Sequence, residues 1–137
     1  MLPTPHARAY LTAEGSPLDV TDFDPTQADA AGSMVSTLTD LNRFFRALLG
    51  GDVLPPPALA AMRADGLGLT RHETPTGPAF GYDGGFFGFE TRTWHSTDGQ
   101  RQLTLSATTT AIRTDLPPTA TLLPALTTDR HAGRRPS

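Results

Sequence analysis

Residues 79–110, AFGYDGGFFGFETRTWHSTDGQRQLTLSATTT, restrict the fold more than any other part of the chain. Side chains alternate over residues 86–95: Phe87, Phe89, Thr91 and Thr93 fall on one side, Gly88, Glu90, Arg92 and Trp94 on the other. A period of two is that of a β-strand with two different faces. Ser-Thr-Asp-Gly at 96–99 then reads as a hairpin turn, because Asp-Gly accepts positive φ. Alternation resumes in RQLTLSA, with Leu103, Leu105 and Ala107 on one face. The stretch therefore predicts two antiparallel strands behind a glycine-rich entrance, Tyr82-Asp83-Gly84-Gly85. Glycines in such a place either let another backbone come close or mark a turn or bulge.

Upstream, the period is that of a helix. Leu38, Leu41, Phe45, Leu48 and Leu49, joined by Phe44, form an apolar stripe at helical spacing. Ser36 or Thr37 supplies the N-cap, and Thr37 with Asp40 has capping-box spacing. Gly50 and Gly51 offer the left-handed residue that ends a helix. A second short helix is expected from the prolines at 55–57, carrying Leu59, Ala60 and Met62 inward. LGLTRHE then reads as a strand closed by a turn at TPTGP.

The ends are less patterned. Residues 1–31 carry many breakers and read as an extended, loop-rich arm. Residues 32–115 hold the periodic elements, and residues 116–137 a weak helix near Ala120 to Leu126, interrupted by Pro124, and a flexible tail. The expected class is α+β, an antiparallel sheet of about three strands with packed helices.

Charge and composition exclude several functions. A net charge of −3 and a pI near 5.7 speak against a nucleic-acid binder. No apolar run approaches the roughly 20 residues of a membrane span, and MLPTPHARAY is not a signal peptide. Cysteine is absent, which removes disulfides and thiolate chemistry. All 11 basic residues are arginine. Lysine is missing entirely, so no side-chain amine can lose its proton to act as a base. His72 with Glu73 and His95 with Asp98 lack metal-ligand spacing and read as surface polar residues, so no metal or other cofactor is expected. Serines 16, 33, 36, 96, 106 and 137 stand outside any G-x-S-x-G motif. Asp83 could act as a carboxylate acid or base, but a turn residue bonding its own backbone is the plainer account.

AAGSMVSTLTDLNRFFRALLGGDVLPPPALAAM, then GLGL, then FGYDGGFFGFETRTWHSTDGQRQLTLS resembles the C-terminal part of the serine β-lactamase-like family, over about residues 6–115. That family includes β-lactamases, D-alanyl-D-alanine carboxypeptidases and related esterases. The resemblance implies a partial β-lactamase/transpeptidase-like fold. It also implies three site motifs: S-x-x-K, Y-x-N or S-x-N, and K-T-G or H-x-G. Tyr82, Asp83, Gly84 and Gly85 fall at the third, with Tyr82 where histidine would be expected. The first needs lysine and is absent from these residues, and neither Tyr10 nor Tyr82 opens the second.

Two readings follow. In one, the chain is a truncated serine hydrolase that keeps the substrate strand, lacks the nucleophile and is inactive alone. Its ligand would be an acyl-peptide or a β-lactam, docked beside the glycines, with the Gly85 N–H facing the developing oxyanion. In the other, it is a non-enzymatic module that binds a peptide or partner strand at a free sheet edge, where self-association is also expected. Complete family members usually act outside the cytoplasm.

Overall fold

The computed structural model describes residues 2–108. The weak helix expected near Ala120 and the flexible tail lie outside these residues. Among the described residues, seven strands and three α-helices follow one another: β1 (Tyr10–Ala13), β2 (Ser16–Asp19), α1 (Asp29–Gly32), α2 (Leu38–Gly50), α3 (Pro56–Asp65), β3 (Thr70–Thr74), β4 (Gly77–Gly81), β5 (Asp83–Phe86), β6 (Phe89–Ser96) and β7 (Gln102–Ala107). The α+β class holds, but the sheet is larger than the three strands expected. β6 is its spine. It pairs antiparallel with β4 and β5 along one side and with β7 along the other, and β3 pairs with the outer side of β4.

The helices form where the capping chemistry allows. Thr37 caps α2, its Oγ1 accepting the Asp40 N–H at 3.1 Å. Gly51 ends the helix at φ 92°. Phe45, Leu48 and Leu49 of α2, Leu59 of α3, Leu69 and Phe80 close one apolar core. Phe44 is half-exposed, and Ala60 of α3 faces solvent rather than the core. α2 is pinned over β7 by polar contacts: Gln102 Nε2 donates to the Asn42 carbonyl and Thr104 Oγ1 to Asn42 Oδ1. On the opposite sheet face, Trp94 and Ala79 are buried with Leu103 and Leu105 packed on them.

Two expectations need correcting. Residues 86–95 are not one strand. The chain reverses at Phe87-Gly88, where φ is 33° and 79°. Two consecutive left-handed residues make the tight turn that suits a twisted hairpin, and alternation hid it because Phe87 and Gly88, the turn residues themselves, prolong the alternation of β6 by two positions. Residues 1–31 also contain more than an extended arm. Glu14 and Gly15, at φ 51° and 79°, turn β1 back onto β2. This hairpin is tied down by the buried Thr21, whose Oγ1 accepts the Ala9 N–H, and by the Arg8–Asp19 ion pair. The Tyr10 N–H donates to the Thr108 carbonyl, so the hairpin docks at the end of β7.

Candidate functional site

The Tyr82-Asp83-Gly84-Gly85 stretch straddles the junction of β4 and β5, and its geometry follows from the hairpin beyond it. The register of β4 on β6 (Phe80 opposite His95) and of β5 on β6 (Asp83 opposite Arg92) is the same, so no residue is inserted between them. A two-residue turn makes Phe86 and Phe89 the pair that closes the hairpin. Antiparallel pairs alternate between exchanging backbone hydrogen bonds and turning them outward. Gly84 opposite Thr91 therefore bonds inward, whereas Gly85 opposite Glu90 and Asp83 opposite Arg92 turn their N–H and C=O away from β6. Asp83, Gly84 and Gly85 are all exposed, and no described strand pairs with that outer side. β5 is a free edge.

At Tyr82 the ladder breaks in a specific way. By alternation, Tyr82 and Thr93 should exchange backbone bonds. Instead the Thr93 hydroxyl takes both roles: it accepts from the Tyr82 N–H and donates to the Tyr82 carbonyl, each at 3.0 Å. Thr93 is 2% exposed. The backbone of β6 comes in so closely here that a Cβ on Gly81 would sit 1.7 Å from the Thr93 carbonyl oxygen. Gly81 is thus required for close approach, whereas a Cβ on Gly84 would meet nothing within 4 Å. The Tyr82 side chain, 56% exposed, stands on the helix-bearing side of this edge.

Asp83 is a strand residue rather than the turn residue expected, because the turn lies farther on at Phe87-Gly88. Its carboxylate lies 4.0 Å from Arg92 Nε, and Arg92 Nη2 lies 3.6 Å from Glu90 Oε1. One largely buried guanidinium is shared between two carboxylates on the same sheet face. At the far end of β5, Phe87 stacks on Phe23 at 3.9 Å and Phe86 meets Phe23 edge-on at 5.6 Å. This cluster holds the segment before α1 against the hairpin.

The other residues considered from the sequence do not gather at the edge. Glu73 pairs with Arg71, and Asp98 accepts from Ser96 and the Gln100 N–H within its turn. Ser36 donates to the Thr37 carbonyl. His95 is not a surface residue: it is fully buried, stacked on Phe45 at 4.3 Å, with neither ring nitrogen hydrogen-bonded. It lies on the helix-facing side of β6, a position its polarity concealed. Burial holds its imidazole neutral, pushing its pKa down to about 4. Among the described residues no three His, Asp or Glu side chains converge as a metal would need, and no helix is long and apolar enough to cross a membrane. Thr93 is the residue at this edge that sequence reasoning missed. Its only signal was a threonine at an inward position of a strand, opposite the entrance.

A family model described as Beta-lactamase matches residues 3–123. The chain belongs to the beta-lactamase family. Its fold is also that of a crystallised D-stereospecific amidohydrolase from Streptomyces sp., with a TM-score of 0.70 and 28% sequence identity. That match covers 79% of this chain and 36% of the amidohydrolase, so this beta-lactamase-family chain spans little more than a third of the enzyme's length.

Proposed function

We propose that this chain is the substrate-strand part of a serine acyl-hydrolase of the beta-lactamase family. An acyl-peptide docks as an added strand along β5, pairing with the outward backbone groups of Asp83 and Gly85. Its scissile carbonyl comes to the Gly85 N–H. When a nucleophile attacks that carbonyl, negative charge gathers on the oxygen, and a fixed donor there lowers the barrier by about 3 kcal/mol. Tyr82 replaces the histidine expected beside this strand and keeps a ring that can hydrogen-bond.

A serine activated by a lysine has no place within these 137 residues, which contain no lysine. The nucleophile lies outside them, and the chain by itself performs no acyl transfer. The name of the Streptomyces protein suggests the substrate class: an amide next to a D-residue. The observation that carries the reading is the free β5 edge, with its three exposed residues Asp83, Gly84 and Gly85.

N-acetyl-D-alanyl-D-alanine, titrated into the 15N-labelled chain, should shift the Asp83 and Gly85 amides and do so more than its L,L counterpart. No shift anywhere along β5 removes the substrate-strand reading. Covalent labelling of the chain by a fluorescent penicillin overturns the inactivity. The same free edge favours a second reading, a module that binds a partner's strand without chemistry. Equal binding of D,D and L,L peptides would favour it.

A further inference from the structure

We infer that Thr93 is the residue that positions the β5 edge for docking. The inference rests on the reading of β5 as the substrate strand and adds what aims it. β4 and β5 share one register on β6, yet the backbone pairing stops at Tyr82 and restarts at Asp83. What bridges the gap is a side chain. The Thr93 hydroxyl holds the N–H of Tyr82 and its carbonyl at once, at 3.0 Å each. With both flanking peptide groups fixed, the peptide plane entering Asp83 is fixed too, and through it the outward direction of the Asp83 N–H.

The surroundings make the arrangement rigid. Thr93 is 2% exposed and sits where the Gly81 side chain would be. A plain strand pair would have exchanged backbone bonds at this point; here the hydroxyl takes both Tyr82 groups instead. The consequence is a strand whose inner half is bonded through backbone and whose entry is bonded through one hydroxyl. Removing that hydroxyl releases the entry alone. Thr93 touches no reacting atom in this account: it acts through Tyr82.

The variants are Thr93→Val, which keeps the shape and loses the hydroxyl, and Thr93→Ser, which keeps the hydroxyl. In Thr93→Val the Tyr82 amide should exchange with solvent about tenfold faster, as expected from losing hydrogen bonds of ordinary strength. The Asp83 amide signal should move, and N-acetyl-D-alanyl-D-alanine should bind about tenfold more weakly. Thr93→Ser should restore all three. A wild-type Asp83 signal in Thr93→Val would overturn the positioning role. So would a Tyr82 amide that exchanges as fast as an exposed loop in the unaltered protein, a measurement that does not depend on any variant folding. If the unaltered chain shows no peptide-induced shifts on β5, the substrate-strand reading fails, while the exchange and signal positions still decide what Thr93 does.

Discussion

At the scale of single residues, two glycines three positions apart have opposite reasons to be there. A Cβ on Gly81 would lie 1.7 Å from a backbone oxygen of Thr93, which cannot move without parting β4 from β6. Gly81→Ala should therefore cost more than about 4 kcal/mol in a denaturant melt, the range of severe backbone clashes. Gly84→Ala meets open space and should change stability by less than about 0.5 kcal/mol. Its effect on peptide docking can then be measured free of any folding defect, and a Gly84→Ala melt as poor as that of Gly81→Ala would show that the edge is not open. His95 has a different signature. Its folded pKa is about 4, below the ordinary histidine value of 6.5. As pH falls below 6.5 the unfolded chain takes up a proton that the folded chain refuses until about pH 4. Stability should fall across that window by about 3 kcal/mol and then level off for this group. His95→Leu should flatten that slope, and a melt equally pH-dependent in both proteins would show that His95 is not its source. Asp19 acts lower: bonds from Thr21 and Arg8 bring its pKa to about 2, so its contribution is lost only between about pH 4 and pH 2.

At the scale of elements, what was legible in the sequence was whatever depends on local chemistry. α2 follows from Thr37, Asp40, its apolar stripe and Gly51, and the cap is directly testable. Thr37→Ala removes the acceptor for the Asp40 N–H and should lower stability by about 1 kcal/mol, read from the melting midpoint, while Thr37→Ser should not. The Asp-Gly turn before β7 was equally clear, with Gly99 at φ 69°. The turn at Phe87-Gly88 was not, because a large aromatic at φ 33° is a residue local preference argues against. Tertiary contact accounts for it: Phe87 stacks on Phe23, from a segment 64 positions earlier. The β1–β2 hairpin was hidden for a similar reason, since Glu14 occupies the left-handed position where asparagine or glycine would have announced a turn. Of the candidate site, the glycines were visible and the free edge was anticipated. The direction of the Gly85 N–H came from the family resemblance and not from the residues themselves, because it depends on where the hairpin closes, and a one-residue change there would turn it inward.

At the scale of the whole molecule, the described residues leave several apolar side chains and a strand edge facing outward. Met34 is 89% exposed, Leu67 59%, Phe44 50% and Leu38 42%, and the outer side of β5 is unpaired. Exposed apolar side chains and a strand edge both lower their free energy by meeting another chain. The charge does little to oppose this, since −3 over 137 residues is a weak repulsion. The 137-residue chain should therefore associate as its concentration rises, seen as an increasing weight-average mass in sedimentation equilibrium. Two substitutions separate the causes. Phe44→Glu charges the exposed face of α2 and should reduce association if apolar contact drives it. Gly84→Pro removes one of the two β5 N–H groups, those of Gly84 and Phe86, that alternation points toward β6 and stiffens the strand, so it tests the edge through its shape rather than through its outward donors. Association lost with Phe44→Glu alone assigns the contact to the helix face, and association lost with Gly84→Pro alone assigns it to the edge. A constant monomer mass over the whole concentration range would mean that neither surface is adhesive, and the free edge would then be selective for its peptide rather than open to any strand.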